Sequence, residues 1–318
     1  MTGIARSVRL RLSAAGRVWQ SFWFEPQQMY TLGLVRMAFG ALAILWGLWL
    51  LPMRNAFLDP DGATPTQPSV AHTWGTFEIW NSKEAILIGV IVLVLSAIAL
   101  LVGWHSRLAA VVVFILILSF ERRASSAFNA GDVLVRIEAL FLAVSPSGAA
   151  LSLDQRRRTG SFWSAQTKTN WPIRLIQVQL SLIYLAAARS KLSGETWLNG
   201  TAVSYALRVE DMQRVPVPQW FGTNALAMNV ITWGAIAIEL AVAILVWFPR
   251  FRPWVLSAGV LMHVMIDLQI QIGIFSYATF VMYLAWVPPE TVKHLPDRLK
   301  QVLGRRDRGS NVDSPSVR

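Results

Sequence analysis

Residues 85–104 read AILIGVIVLVLSAIALLVGW, a run without one charged side chain, preceded by Lys83 and Glu84 and followed by His105 and Arg107. A helix rises about 1.5 Å per residue, so about 20 apolar residues cover the roughly 30 Å hydrocarbon core of a bilayer. The run reads as a membrane span. Residues 31–51, 173–188 and 225–248 read the same way. Residues 108–120 are apolar but short, and 132–145 are interrupted by Arg136 and Glu138, so both rely on protein neighbours. The run 254–286 is too long for one simple crossing and splits near Gly273. The expected fold is an all-α, polytopic transmembrane helix bundle of about eight spans, or six or seven if the short segments and the split are counted differently.

The whole composition agrees. The 318 residues are 54% hydrophobic and 15% charged, with a mean hydropathy of +0.45, which excludes a disordered chain and argues against an ordinary soluble domain. Lys and Arg number 29 against 18 Asp and Glu, for a net charge of +11. The basic residues fall between apolar runs rather than on one solvated face, so no nucleic-acid partner is expected. The absence of cysteine excludes disulfide scaffolds, Cys-ligated metal and thiol catalysis. Fifteen Trp fit rings seated at the headgroup level.

Basic residues also set the orientation. Arg6, Arg9, Arg11 and Arg17, then Arg107, then Arg156, Arg157, Arg158, Lys168 and Arg174, then Arg250 and Arg252, and finally Lys293 to Arg318 share one side of the expected bundle. Fewer face the other side, so both termini are expected in the cytoplasm, and the loops 52–84 and 192–224 outside. The first apolar run begins only at Thr31 and is long enough to span, so an anchor rather than a cleaved signal is expected. Residues 1–30 read as a basic, amphipathic interfacial segment in which Ile4, Val8, Leu12, Ala15, Trp19 and Phe22 recur every three or four positions; a merely basic arm is the alternative. Residues 31–289 form the transmembrane domain and 290–318 a basic tail, disordered from Pro296. Arginine outnumbers lysine, which is compatible with a GC-rich bacterium and hence a bacterial plasma membrane.

An ionisable side chain inside a bilayer costs roughly 2.5 to 3.5 kcal/mol on insertion scales, so each needs a partner or a task. Arg36, Asp132, Arg136, Glu138, Glu239, His263 and Asp267 lie within or at the ends of expected spans. Asp132 and Arg136 are four apart and placed to neutralise each other. His263 and Asp267 share that spacing; the carboxylate orients the imidazole for proton transfer or cation coordination, or the pair is simply structural. No metal site is expected, because third and fourth ligands are missing. The stretch YLAAARSKLSGETWLNG, residues 184–200, ends a helix at the outer face with Arg189 and Lys191 close together, then turns into Trp197. A partly desolvated lysine beside another cation has its ammonium form disfavoured and can act as a base. The alternative is two cations snorkelling at a helix end.

This stretch resembles the horizontally transferred transmembrane (HTTM) family, whose best-known members are the vitamin K-dependent γ-glutamyl carboxylases. Lys191-Leu192 falls on the family's Lys-Leu pair, followed by Trp197 and Gly200. His263, with Ile272-Gly273-Ile274-Phe275 after it, is similar to the family's His and Ile-Gly-x-Phe. Arg36 with Gly40, Leu151-Ser152-Leu153-Asp154, and Glu239-Leu240 extend the likeness over residues 31–289. The resemblance implies a membrane enzyme in which Lys191 deprotonates a reduced naphthoquinone (menaquinol or vitamin K hydroquinone). Oxygen then adds, and the strong base so formed removes a proton from a glutamyl side chain that captures carbon dioxide. Arg36, Arg189, Trp197, Glu239, His263 and Asp267 are the implied pocket residues, and a peptide or protein at the outer face the implied substrate. Residues 125–132, SSAFNAGD, lack the His that carboxylases carry there, and Ile266 stands where they have Asn. The chain also stops soon after the last run, without the large luminal domain of animal carboxylases, so a different substrate is expected. Two other functions are consistent with the sequence. One is a non-enzymatic accessory protein for maturation or export of a peptide; the other is a small transporter using His263, Asp267 and Glu239 as a proton relay, although no repeated pair of broken spans is present.

Overall fold

The computed structural model describes residues 15–62 and 75–297. The first half of the expected interfacial segment and the tail beyond Asp297 lie outside the described residues. Residues 15–24 are helical, and the Phe22 ring packs at a tilt against Trp247. Strand β1 (Pro26–Gln28) pairs antiparallel with β2 (Thr167–Thr169), marking one end of the bundle, here the strand end. From it rises α1 (Tyr30–Met53), followed by α2 (Lys83–Val102), α3 (Ser106–Arg123), α4 (Ala130–Val144), the short α5 (Leu153–Thr159), α6 (Trp171–Leu192), α7 (Ala225–Leu245), α8 (Arg252–Gln269) and α9 (Phe275–Tyr283). The opposite, loop end carries residues 193–224, folded into one-turn helices and irregular chain.

Among the described residues, four helices are long and apolar enough to cross a membrane: α1 with the turn after it (Tyr30–Leu58), α2, α6 and α7. They coincide with the four clearest runs of the sequence. The run 254–286 divides as expected, with Gly273 at φ 74° between α8 and α9. Yet α9 has nine residues, about 14 Å of helix against a hydrocarbon thickness of about 30 Å. Most of its side chains, from Ser276 to Tyr283, are buried. It packs against α1, α4, α6 and α8 as an interior helix.

Side-chain size sets the tightest packing. Gly40 and Gly47 on α1 face α2, and a Cβ at Gly40 would lie 2.7 Å from the backbone of Leu101. Small residues let backbones approach where lipid gives no hydrophobic drive between helices. At the end of α2, Gly103 takes φ 73°, and a Cβ there would overlap the Arg36 guanidinium and Ser152. Arg36 is fully buried and donates from Nη2 to Leu151 O. Asp154 accepts His105 N at 2.9 Å and Ser106 N and Oγ at 2.8 Å each, closing the start of α3. Burial works against that carboxylate, but these hydrogen bonds prevail and hold it below the usual carboxylate range.

The centre of α1 is tied to α4. Trp46 Nε1 donates to Asp132 Oδ1 at 2.7 Å, while Asp132 Oδ2 accepts Asn129 N in a capping box at the start of α4. Arg136 pairs with Glu121 of α3. The expected Asp132–Arg136 pair is therefore not formed, because both side chains find closer partners on other helices.

Two outcomes follow. Trp46→Phe keeps an aromatic ring but strips the donor from a buried carboxylate, and should cost about 1 to 3 kcal/mol, read as a lower unfolding midpoint in detergent. Gly40→Val should lower that midpoint by a similar margin through overpacking at Leu101, whereas Gly16→Ala, with nothing within 4 Å of its added Cβ, should not.

Candidate functional site

Lys191 sits in the last turn of α6, on the side facing α7. Its Nζ donates to Glu239 Oε1 at 2.7 Å, with the lysine side chain 22% and the glutamate 8% exposed. The chain leaves α6 through Ser193 and Gly194 into the single helical turn Glu195–Leu198. That reversal carries the Trp197 ring back to 5.0 Å from Nζ, a cation–π contact. Glu239 Oε2 is buried and, among the described residues, accepts no hydrogen bond. A buried acceptor beside an ammonium group is an open position for a donor, because leaving it empty is costly.

Two turns below Lys191 on the same face of α6, Tyr184 joins a second set of polar groups. Its hydroxyl lies 2.7 Å from His263 Nε2 on α8 and is hydrogen-bonded to the hydroxyl of Tyr283 on α9. On the other side of the imidazole, Ser276 Oγ stands 3.5 Å from Nδ1 and donates to Asp267 Oδ1 at 3.3 Å. His263 and Asp267 thus communicate through Ser276 rather than by direct contact. The chain Asp267–Ser276–His263–Tyr184–Tyr283 runs inward from a half-buried carboxylate, and every member is a group that gives or accepts a proton.

Of the residues singled out in the sequence, Lys191, Trp197, Glu239, His263 and Asp267 gather where α6, α7, α8 and α9 converge. Arg189 is exposed; residues two apart on a helix do not face each other. The charge nearest Lys191 is therefore the Glu239 carboxylate, opposite in sign to the neighbour expected from Arg189. Arg36 does not join the group. It lies toward the strand end against Leu151 and Gly103, within the electrostatic reach of Asp154. Sequence reasoning missed Tyr184, Ser276 and Tyr283. Their signal was a seven-residue spacing, Tyr184 to Lys191 and Ser276 to Tyr283, which puts each pair on one helical face. A cleft of about 540 Å³ lined by His105, Ser106, Arg107, Asp154 and Arg158 opens at the strand end. Its one carboxylate is already committed to the cap of α3.

The convergence of a lysine, an acid and a histidine from three helices repeats, in space, three of the sequence likenesses noted above. The sequence model of the HTTM domain matches residues 24–290, while no solved structure matches the chain. With the match running from β1 to the end of the bundle, and four helices able to span a bilayer, this chain is a membrane protein that belongs to the HTTM family.

Proposed function

We propose that the protein is a quinol- and oxygen-dependent membrane enzyme, related to the vitamin K-dependent γ-glutamyl carboxylases, with Lys191 as its base. The observation that carries this reading is the pair Lys191–Glu239, held at 2.7 Å with Glu239 Oε2 buried and open. The residues fit a reduced naphthoquinone: Glu239 Oε2 offers an acceptor to a ring hydroxyl, and Trp197 supplies an aromatic face beside Nζ. Such a quinol, when bound, supplies the electrons for reaction with oxygen.

The rest of the task falls to the protein. On its Glu239 side, where the acid is only 8% exposed, the ion pair loses much of the solvation that favours it over a neutral pair. Passing one proton from Lys191 Nζ to Glu239 leaves a neutral amine, and that amine takes the proton of a substrate hydroxyl placed against it. The tyrosines and His263 hold the floor of the site by mutual hydrogen bonds, and apolar packing around them closes that side of the site to water.

Eight passages, by α1 to α4, α6 to α8 and the chain that runs through the interior helix α9 to Lys293 beside Trp163, would return both termini to the cytoplasm of a bacterial cell. Supporting that orientation, Arg107, Arg156, Arg157, Arg158, Lys168, Arg174, Arg250 and Arg252 cluster toward the strand end. The substrate at the loop end would be a peptide, a protein or a small molecule bearing an acidic proton.

The test is quinol-dependent oxygen uptake by the purified protein in nanodiscs, with menaquinol and vitamin K hydroquinone each supplied. Lys191→Arg keeps the cation and its pair with Glu239 but cannot shed a proton at these pH values. It should lower uptake by about 10² to 10⁴, the worth of a general base. Wild-type uptake no higher than that of empty nanodiscs would return the function to binding or export of a peptide by residues 193–224.

A further inference from the structure

The antiparallel pair α6 and α7 is out of step. Trp247 Nε1 donates to Ser181 Oγ at 2.9 Å, and ten residues further along α6, Lys191 meets Glu239. Helix α6 ends at Leu192, whereas α7 continues past it from Ile238 back to Ala225. At about 1.5 Å per residue, Glu239 lies about 21 Å from the loop end of α7 and about 9 Å from Leu245. The part of α7 beyond Lys191 holds no charged residue, and it exposes Leu226 by 76% and Val230 by 63%, with Ile231 and Trp233 also exposed. Water at the level of Lys191 would leave this whole face wet. Both α6 and α7 are long and apolar enough to span; a bilayer matched to α6 alone would put Lys191 at its edge, whereas one covering the full length of α7, with its exposed apolar face, places Lys191 and Glu239 inside the hydrocarbon.

Residues 193–224 then lie largely within the membrane's depth. They pack on the projecting half of α7: Val203 N donates to Thr232 Oγ1 at 3.4 Å, and Gly200 abuts Asn229. A short antiparallel bridge ties them to the end of α8, with Arg214 N on Gln269 O at 3.0 Å and Gln271 N on Met212 O at 2.8 Å. Irregular backbone at that depth is stable only where protein buries it or where it lines water. Around Lys191 the exposed side chains include Arg189, Ser190, Ser193, Glu195 and Thr196 beside Leu192 and Leu198; the five polar ones, two of them charged, are costly to set against lipid.

We propose that Lys191 and Glu239 lie deep in the bilayer and that Arg189, Ser190, Ser193, Glu195 and Thr196 line a water-filled vestibule, roofed by the re-entrant segment 193–224, that admits a polar substrate from the loop end. The inference rests on the reading of Lys191 as a reactive group only for its purpose. In that reading it divides the traffic: a water-borne substrate enters by the vestibule, and an apolar one arrives from the lipid.

The chain has no cysteine, so single-cysteine variants report without background. Ser190→Cys, Ser193→Cys and Thr196→Cys, in liposomes, should react with a charged, membrane-impermeant maleimide within about tenfold of a reference Asn81→Cys, exposed in the loop before α2. Leu226→Cys and Val230→Cys should react about a hundredfold more slowly, because hydrocarbon suppresses the thiolate that reacts. Fluorophores placed at those two positions with a permeant reagent should be quenched by lipids brominated along the acyl chain. Fast labelling at Leu226→Cys and Val230→Cys, without quenching, would put the surface at Lys191 and overturn the proposal; protected thiols at 190, 193 and 196 would overturn it equally. None of these readings needs turnover. Quinol-dependent uptake with the wrong labelling pattern removes the vestibule and leaves the base, and the right pattern without uptake does the reverse.

Discussion

A charge placed in hydrocarbon must be met by another group of the same protein, because no solvent will do it. The bundle is organised around these obligations. Arg36 is held by a carbonyl from the loop after α4, Asp132 by the indole of α1 and by its own cap, Arg136 by Glu121 of α3, and Lys191 by Glu239 of α7. Each contact joins elements that are not adjacent in a simple helical hairpin or fixes the register of two that are. Dispersion forces hold these helices together, but they would do so at several registers. Polar partners, costly to leave unpaired, choose one. Glu138 is the exception among these groups, buried with neither carboxylate oxygen hydrogen-bonded among the described residues.

This explains what the sequence disclosed and what it concealed. The apolar runs at 31–51, 85–104, 173–188 and 225–248 announced four spans because length and composition are local properties, and the structure has helices there. Pairing is not local. Asp132 and Arg136 have ideal spacing for a helical ion pair, yet an exposed pair of that kind is worth only a few tenths of a kcal/mol. A buried indole donor and a carboxylate on α3 compete for the same groups at closer range and win. The His263–Asp267 spacing failed in a milder way, with Ser276 of the next helix inserted between them. The short α9 was also hidden, since hydropathy reports burial in protein and burial in lipid alike.

The five likenesses to the family that lay scattered along the chain reduce to two places in space. Arg36 meets Leu151 and lies within reach of Asp154, with Gly103 leaving room for the guanidinium. That node joins α1, the turn after α2 and the turn before α5; Arg36 Nη2 is held by a backbone carbonyl and Asp154 by the start of α3, while Arg36 Nε and Nη1 have no hydrogen-bond partner among the described residues. Lys191, Glu239 and His263 make the other node, and there the pairing is incomplete: Glu239 Oε2 has no donor among the described residues. What separates them is sign and access: Arg36 is fully buried with spare donors, whereas Lys191 is partly exposed beside an acid with a spare acceptor, a difference that residue type alone could not disclose.

The position of the second node follows from helix lengths that do not match. Had α6 run as far as α7, its last turns would have covered the apolar face of α7 and sealed Lys191 within a continuous wall. It stops at Leu192 instead, and the chain travels on beside the projecting half of α7 without a long helix to satisfy its backbone. Residues 193–224 resolve this by folding on the uncovered half of α7, satisfying their polar groups with single helical turns, a bridge to the end of α8, a hydrogen bond to Thr232 and another from Ser204 to Gly222. Single turns pack less continuously than a helix, so polar side chains at their junction with α6 keep exposed surface close to the ion pair. The interruption that costs backbone regularity is therefore also what leaves the Lys191–Glu239 pair partly exposed rather than sealed between two helices.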